Sequence, residues 1–361
     1  METAPQPPDI GEAIRAFAKR VFDNMSGFAV SGMIYLGHHL GLYRALQDAG
    51  PVTSAALAER TRLHERWVRE WLRGQAAAGL LEYDGEGRFS LSPIAALVLA
   101  NEQSPAFAAA AFATLPQQIA VLEPLRDSFV TGIGLTYDAL GPEGACGVEA
   151  MLGPWFRTML VPIVLPQLDG VTAKLEHGAR AADLGCGTGV ALIEMAKAFP
   201  RSRFDGYDIS THALAHAERY KRDAGLTNVT FHDASSEPLP EDGRFAFVTA
   251  FDCLHDMTDP AGMMRGVRRA IDADGTWLIV DINARPTFEE NLDRNPMAAM
   301  MYAFSVLSCL SSSLSRPGGA GLGTLGFSEP VAREMTAAAG FTRFTRRDFG
   351  NPVNAYYEVR P

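Results

Sequence analysis

Arg180-Ala181-Ala182-Asp183-Leu184-Gly185-Cys186-Gly187-Thr188-Gly189-Val190 is the stretch on which the reading of this chain turns. A short apolar run ends in an acid and three glycines. A second apolar run, Val190 to Phe199, then places Leu192, Ile193, Met195 and Ala196 at helical spacing. Ala181 to Leu184 predicts a strand, and the glycines permit positive φ and close approach of backbone to a ligand. The helix that follows aims its N-terminus at the same place. The glycine spacing is G-x-G-x-G rather than the G-x-G-x-x-G of dinucleotide sites. Asp183, immediately before the turn, would repel a pyrophosphate and attract a cationic ligand.

Matching pieces follow in order. Gly206-Tyr207-Asp208-Ile209-Ser210 lies about twenty residues on, where an acid at a strand end can accept both hydroxyls of a ribose. Phe231-His232-Asp233-Ala234 supplies a turn for a base, Phe245 to Phe251 is a buried-strand pattern that ends at Asp252, and Thr276 to Ile282 is another. Strands alternating with helices predict an α/β fold, a doubly wound Rossmann-like sheet with its ligand at the carboxyl ends of the strands. The late runs Phe344 to Phe349 and Ala355 to Val359 complete a seven-stranded sheet, one strand of it antiparallel.

The segment resembles motif I of the class I S-adenosylmethionine-dependent methyltransferases. That resemblance implies S-adenosylmethionine as the cofactor. The ammonium and sulfonium face Asp183, Gly185, Cys186, Gly187 and Gly189 build the cradle, Asp208 and Ile209 take the ribose, Asp233 and Ala234 read the adenine, and Phe251 and Asp252 close the far wall. Leu254-His255-Asp256-Met257-Thr258-Asp259 is similar to the His-Asp-x-x-Asp stretch of small-molecule O-methyltransferases, whose histidine is the general base. His255 is thereby the candidate catalytic residue, with Met257 standing where that family often has tryptophan. Asp256 reads as a cap for the helix that begins near Pro260. Glu289, Glu290 and Asp293 are the available sources of the family's second acid.

Before this domain stands a different module. Ser31 to Ala49, Thr53 to Arg60 and His64 to Ala78 read as helices, followed by Leu80 to Tyr83, a turn at Asp84-Gly85-Glu86-Gly87, and Arg88 to Leu91. Three helices and a two-stranded wing make a winged helix. Its third helix carries Arg62, Arg66, Arg69 and Arg73, but Glu65 and Glu70 interleave them, and the whole chain has a net charge of −10. Those charges favour a homodimerisation role over nucleic-acid binding. The module is similar to the one that pairs two chains in the small-molecule O-methyltransferases.

Expected boundaries are 1–100 for the winged helix, 101–174 for a helical connector and 175–361 for the catalytic domain, with an insertion over 283–327. The connector carries loop signals at Gly132 to Tyr137 and Gly153 to Phe156. Tyr137 and Trp155 are candidates for the acceptor pocket, as are Met301 and Tyr302 in the insertion, whose glycine-rich exit, Gly318 to Gly323, suggests a moving lid. No run of about twenty apolar residues predicts a membrane span, and Met1 to Asp9 lacks the pattern of a secretory signal, so the cytoplasm is the expected compartment. The four cysteines form no C-x-x-C pair. His212 and His216 are expected to face solvent, and no metal site is indicated. The reading is thus a methyltransferase acting on a small molecule, its acceptor an oxygen. Two alternatives stay open: nitrogen, sulfur or carbon acceptors at the same cofactor site, and a DNA-binding sensor of S-adenosylmethionine.

Overall fold

The computed structural model describes residues 9–104 and 106–361. The expectation drawn from Met1 to Pro8 lies outside the described residues. Two compact units divide the chain between Leu115 and Pro116. Most of the expected connector therefore belongs to the catalytic unit.

In the first unit the opening helix is longer than expected. It runs Ile10–His39, with Asp9 Oδ1 accepting from Gly11 N at 3.0 Å as its cap. Ile10, Ile14, Phe17, Val21, Met25 and Phe28 recur along it every three or four residues, and all are exposed. Helices Leu42–Leu46, Ser54–Thr61 and Glu65–Ala77 follow. The wing has three strands rather than two: β2 (Glu82–Tyr83) and β3 (Arg88–Ser90) are joined by β1 (Val52–Thr53), which pairs through Val52↔Phe89. Leu42, Tyr43, Leu46, Leu57, Trp71 and Leu72 form the core. Trp71 Nε1 donates to Met33 O at 2.9 Å. On helix Glu65–Ala77 Arg66 pairs with Glu70 and Arg69 with Glu65, one turn apart.

The second unit is built on seven strands: β4 (Arg180–Leu184), β5 (Arg203–Asp208), β6 (Val229–Asp233), β7 (Phe245–Phe251), β8 (Ile271–Ile282), β9 (Arg343–Arg347) and β10 (Asn354–Arg360). Their order is β6-β5-β4-β7-β8-β10-β9. Neighbours pair in parallel from β6 to β8, and β10 is antiparallel to both β8 and β9. Strand side chains alternate between faces, so Leu278, Val280 and Tyr356 enter one core layer with Leu192 and Met195. Trp277, Ile279 and Tyr357 enter the other with Val248 and Phe327. The order reverses direction at β4, whose neighbours β5 and β7 lead to opposite flanks. Such a reversal opens a crevice at the carboxyl ends of the strands.

Two loop expectations fail. Gly153 to Phe156 lie in a continuous helical run, Gly141–Trp155 followed by the wider π-helical turns of Phe156–Val164. The wider turns hold Pro162, whose missing N–H they accommodate. In the insertion, helices Phe288–Arg294 and Ala298–Phe304 lead through the π-helical Ser305–Cys309 into Leu310–Ser313. Two of the glycines after it, Gly319 and Gly323, pack closely on the helix before them. A Cβ at Gly319 would lie 2.1 Å from Ser313 O, and one at Gly323 would lie 2.5 Å from Ser305 Oγ. Ser313 Oγ donates to Met257 O at 2.9 Å, and Ala320 N donates to Thr258 O at 3.0 Å. These bonds tie the segment down beside the turn after β7. Among the described residues no single helix is long and apolar enough to cross a membrane.

Candidate active site

Each glycine of the β4 turn has its own reason. All three have positive φ, at 60°, 54° and 76° for Gly185, Gly187 and Gly189. A Cβ at Gly185 would meet Cys253 at 2.7 Å, and one at Gly189 would meet the Phe231 ring at 2.5 Å. These two are glycines because protein packs on them. Gly187 alone faces open space, with no atom within 4 Å of an added Cβ. Its backbone is the part of the turn free to receive a ligand. The Cys186 side chain is buried in the core layer, and its N donates to Tyr207 O at 3.1 Å.

Asp208, at the end of β5, ties two loops together. Its Oδ2 accepts from Gly187 N at 2.7 Å and its Oδ1 from Ser210 N at 2.8 Å. Burial still raises its pKa. Ile209 beside it is exposed, and Ala234 N donates to Asp208 O at 2.9 Å. Asp233 ends β6, with Oδ1 accepting from Ser235 N at 2.9 Å, and the Ser235 bonds hold its carboxyl below the usual range. Asp183 lies deeper. It is 1% exposed, accepts from Thr249 Oγ1 at 2.7 Å, and is pushed up to about 7 by burial.

At the end of β7, Phe251 packs edge-on against Phe156 at 4.9 Å, and Asp252 adopts a left-handed backbone with φ of 48°. That conformation is costly for a residue with a side chain and clusters at functional sites. Asp252 Oδ1 accepts from Asn354 Nδ2 at 2.6 Å, while burial and then Asp281 push its carboxyl up to about 7. His255 follows on the short turn Leu254–Asp256. It is 3% exposed, and its Nδ1 lies 2.6 Å from Oδ1 of Asp281, which is fully buried near the end of β8. Burial alone would lower the His255 pKa. The Asp281 carboxylate and the nearby Cys309 more than reverse this and hold it well above its ordinary value. Asp281 Oδ2 is buried with no partner.

Sequence reasoning missed Asp281. The partner of His255 is neither Glu289, Glu290 nor Asp293, all on the surface helix Phe288–Arg294, where Glu289 and Asp293 are exposed. An acid closing the apolar run Trp277 to Val280 was the available signal. Thr249 inside β7 and Asn354 opening β10 were missed as well, because their roles depend on strand neighbours far off in sequence. Asp256 is not the helix cap. Asp259 is, with Oδ1 accepting from Gly262 N at 2.7 Å. Asp256 instead sits near His255, Asp281 and Asp208 and is pushed up to about 7, chiefly by burial. Tyr137 reaches the same region. Burial raises its pKa, with Asp256 and Asp208 the nearest charges. Trp155 packs against Phe251 and Tyr356 at 6.1 and 5.9 Å. Met301 is buried with Ala284 and Leu325, and Tyr302 is 37% exposed beside Phe288. His216 is half-buried rather than solvent-facing, with its ring nitrogens 3.5 Å from Cys146 Sγ.

Asp183, Asp208, Asp252 and Asp256 thus gather around the strand ends, each raised above its ordinary pKa, and none has a Lys or Arg partner among the described residues. Their unmatched negative charge fits a ligand with an ammonium and a sulfonium, and would repel a diphosphate. The open backbone at Gly187 gives such a ligand room. Fold and site together define a class I methyltransferase domain behind a winged-helix domain.

Comparison with known proteins agrees. The family described as "Methyltransferase domain" matches residues 175–314, and the family described as "Rv2258c-like winged HTH domain" matches residues 28–101. The mitomycin biosynthesis 6-O-methyltransferase of Streptomyces lavendulae is 29% identical over 88% of this chain and 89% of its own length. A shorter match, to the ubiquinone biosynthesis O-methyltransferase of Methylococcus capsulatus, is 33% identical over 29% of this chain and spans 44% of that enzyme. The crystal structure of human N-acetylserotonin methyltransferase in complex with SAM is similar in fold, with a TM-score of 0.67 at 16% identity over 99% of each chain. The chain is an S-adenosylmethionine-dependent methyltransferase, and in domain order and fold it is similar to small-molecule O-methyltransferases.

Proposed function

We propose that this enzyme, a cytoplasmic homodimer, methylates an oxygen atom of a small, largely apolar acceptor, with His255 as the general base. The observation that carries the reading is the buried 2.6 Å contact of His255 Nδ1 with Asp281 at the carboxyl end of the sheet. A carboxylate only accepts, so Nδ1 carries a proton, and whenever the ring is neutral the lone pair is on Nε2. A phenol or alcohol must lose a proton to become a strong nucleophile, and an imidazole held in this tautomer is suited to take it. The charge left on the ring is stabilised by Asp281. S-adenosylmethionine, when bound, supplies the electrophilic methyl group.

The cofactor is held by Asp183, Gly185, Cys186, Gly187, Gly189, Asp208, Ile209, Asp233, Ala234, Phe251 and Asp252. The roles differ: Gly187 offers backbone, Asp208 and Asp233 offer carboxylates, and Gly185 and Gly189 keep the turn in shape. Tyr137, near Asp256 and Asp208, borders the acceptor, and the strapped insertion keeps water out. The relatives named above are O-methyltransferases, which supports an oxygen acceptor. Homodimerisation uses the exposed stripe of helix Ile10–His39, because an apolar face of that length is costly to leave in water. The four cysteines are free thiols, in keeping with a reducing compartment.

The test is His255→Ala, assayed on an accepted phenol or alcohol with binding of S-adenosylmethionine measured alongside. Loss of about 10²–10⁴ in kcat with cofactor affinity retained supports the base. A fall of only a few-fold counts against His255 as the base.

A further inference from the structure

Asp252, the first residue after β7, is held in its left-handed backbone by two other strands. Its N donates to Val280 O of β8 at 2.8 Å, and its Oδ1 accepts from Asn354 Nδ2 of β10 at 2.6 Å. Strand order makes this possible, because β10 lies beside β8 and Asn354 pairs there with Ile282. Asn354 is in turn set by the tight turn before it. Asn351 Oδ1 accepts from Val353 N at 2.9 Å and from Asn354 N at 3.2 Å, while Asn351 Nδ2 donates to the hydroxyl of the buried Tyr356 at 2.9 Å. The same Nδ2 lies 3.5 Å from Asn354 Oδ1. With an N–H on one side and a carboxylate on the other, the Asn354 amide has one favourable orientation, its nitrogen toward Asp252. Asn351 shapes the turn through backbone bonds, and the Asn354 side chain serves Asp252.

We infer that Asn354 is a positioning residue of the cofactor site: its amide N–H fixes the Asp252 carboxylate in the orientation and charge state that a cationic cofactor needs. This rests on the reading of Asp252 as part of that site. Among the described residues, Asn354 is the one group that donates a hydrogen bond to the Asp252 side chain. A donor bonded to a carboxylate favours its ionised form. Here that bond works against the surroundings, since burial, Asp281 and Asp256 all raise the Asp252 carboxyl, and His255 is the other group that lowers it. Tyr356 on β10 also feels the Asp252 charge. Left-handed backbone is costly for an aspartate, and the same bond helps to offset that cost.

The experiment measures S-adenosylmethionine affinity by calorimetry for the full chain, Asp252→Asn, Asn354→Ala and the double variant. Thermal melts check folding. The measurements are made at about pH 6 and about pH 8.5, on either side of the Asp252 value of about 7. Asn354→Ala should weaken binding roughly tenfold at the lower pH, the worth of a hydrogen bond to a charged group, and less at the higher, where the carboxylate is ionised without help. In the Asp252→Asn background the same change should cost less than about threefold. Asn354→Ser, whose hydroxyl is shorter than the amide, repeats the comparison should the alanine variant fail to fold. A loss that is equal at both pH values, or equal with and without the Asp252 carboxylate, marks a purely structural residue and overturns the inference. The two readings fail separately: if Asp252→Asn binds the cofactor as tightly as wild type, Asp252 leaves the site and the inference goes with it. Weak binding by Asp252→Asn beside unchanged binding by Asn354→Ala removes the inference alone.

Discussion

Replacing Asp281 by asparagine tests the centre of the site without changing its shape. In the wild type the carboxylate lies 2.6 Å from His255 Nδ1, with the two side chains 0% and 4% exposed. At an effective dielectric of about 20, unit charges at that separation attract by roughly 6 kcal/mol, most of it offset by the cost of burying both. The net worth of a hydrogen bond to a charged group is about 1.5–3 kcal/mol. The asparagine side chain of Asp281→Asn can present its amide nitrogen to Nδ1 and so turn the imidazole to the tautomer with its proton on Nε2, where it cannot act as a base. The expected loss in kcat is therefore about 10²–10⁴, larger than the lost bond alone would give. A second readout comes from pH. Burial lowers the His255 pKa and the carboxylate raises it, so removing the charge should move the acidic limb of the kcat profile, on which the base loses its proton, toward lower pH. The assay is the pH dependence of kcat for both proteins, with calorimetry of cofactor binding. An Asp281→Asn enzyme with an unmoved limb and kcat within threefold, roughly, would refute the pairing as the source of the base.

Gly187→Ala should weaken S-adenosylmethionine binding, since its Cβ enters the open crevice, while its cost in stability is only the roughly 1–2 kcal/mol that alanine incurs at φ 54°. Gly189→Ala should instead lower the melting temperature, because its Cβ would lie 2.5 Å from Phe231; overpacking of this kind costs about 1–3 kcal/mol. Equal effects of the two on stability and binding would contradict the division of labour. The acids predict a pH dependence. Asp183, Asp252 and Asp256 have folded pKa values of about 7 against an ordinary 3.8, so the cofactor-free fold takes up protons and loses that stability as pH rises from 3.8 through about 7. Thermal melts should show S-adenosylmethionine stabilising the protein more at pH ~8 than at pH ~5.5, with proton release on binding seen by calorimetry in buffers of different ionisation heat. A stability that climbs steadily over this range would count against the acidic crevice. Phe17→Asp with Met25→Asp on the exposed stripe should yield monomers by light scattering, and dimers that persist would place the interface elsewhere.

The cofactor cradle was legible because its parts are local. Asp183 to Gly189 form one turn, Asp208 and Asp233 close the strands before two other turns, and backbone conformation demands glycine at three positions whatever the distant surroundings. The helix from Ile10 to His39 was legible in principle, since its stripe repeats at helical spacing, but the expected helix started only at Ser31. The proposed base and its partner divide differently. His255 was found from its place after an apolar strand. Asp281 was not, because adjacency of β7 and β8 brings together residues 26 positions apart. The glycines at 318 to 323 carried an ambiguous message, for sequence expresses freedom and close packing with the same residue.

By itself the sequence determined the alternation of strands and helices, the glycine turn and the cation-seeking acid before it, all set by backbone sterics and charge over a few neighbouring residues. Only the tertiary structure decided which carboxylate faces His255 and that hydrogen bonds tie the insertion to the turn after β7. Those facts arise from strand order and side-chain burial, which depend on how the whole sheet closes over its core.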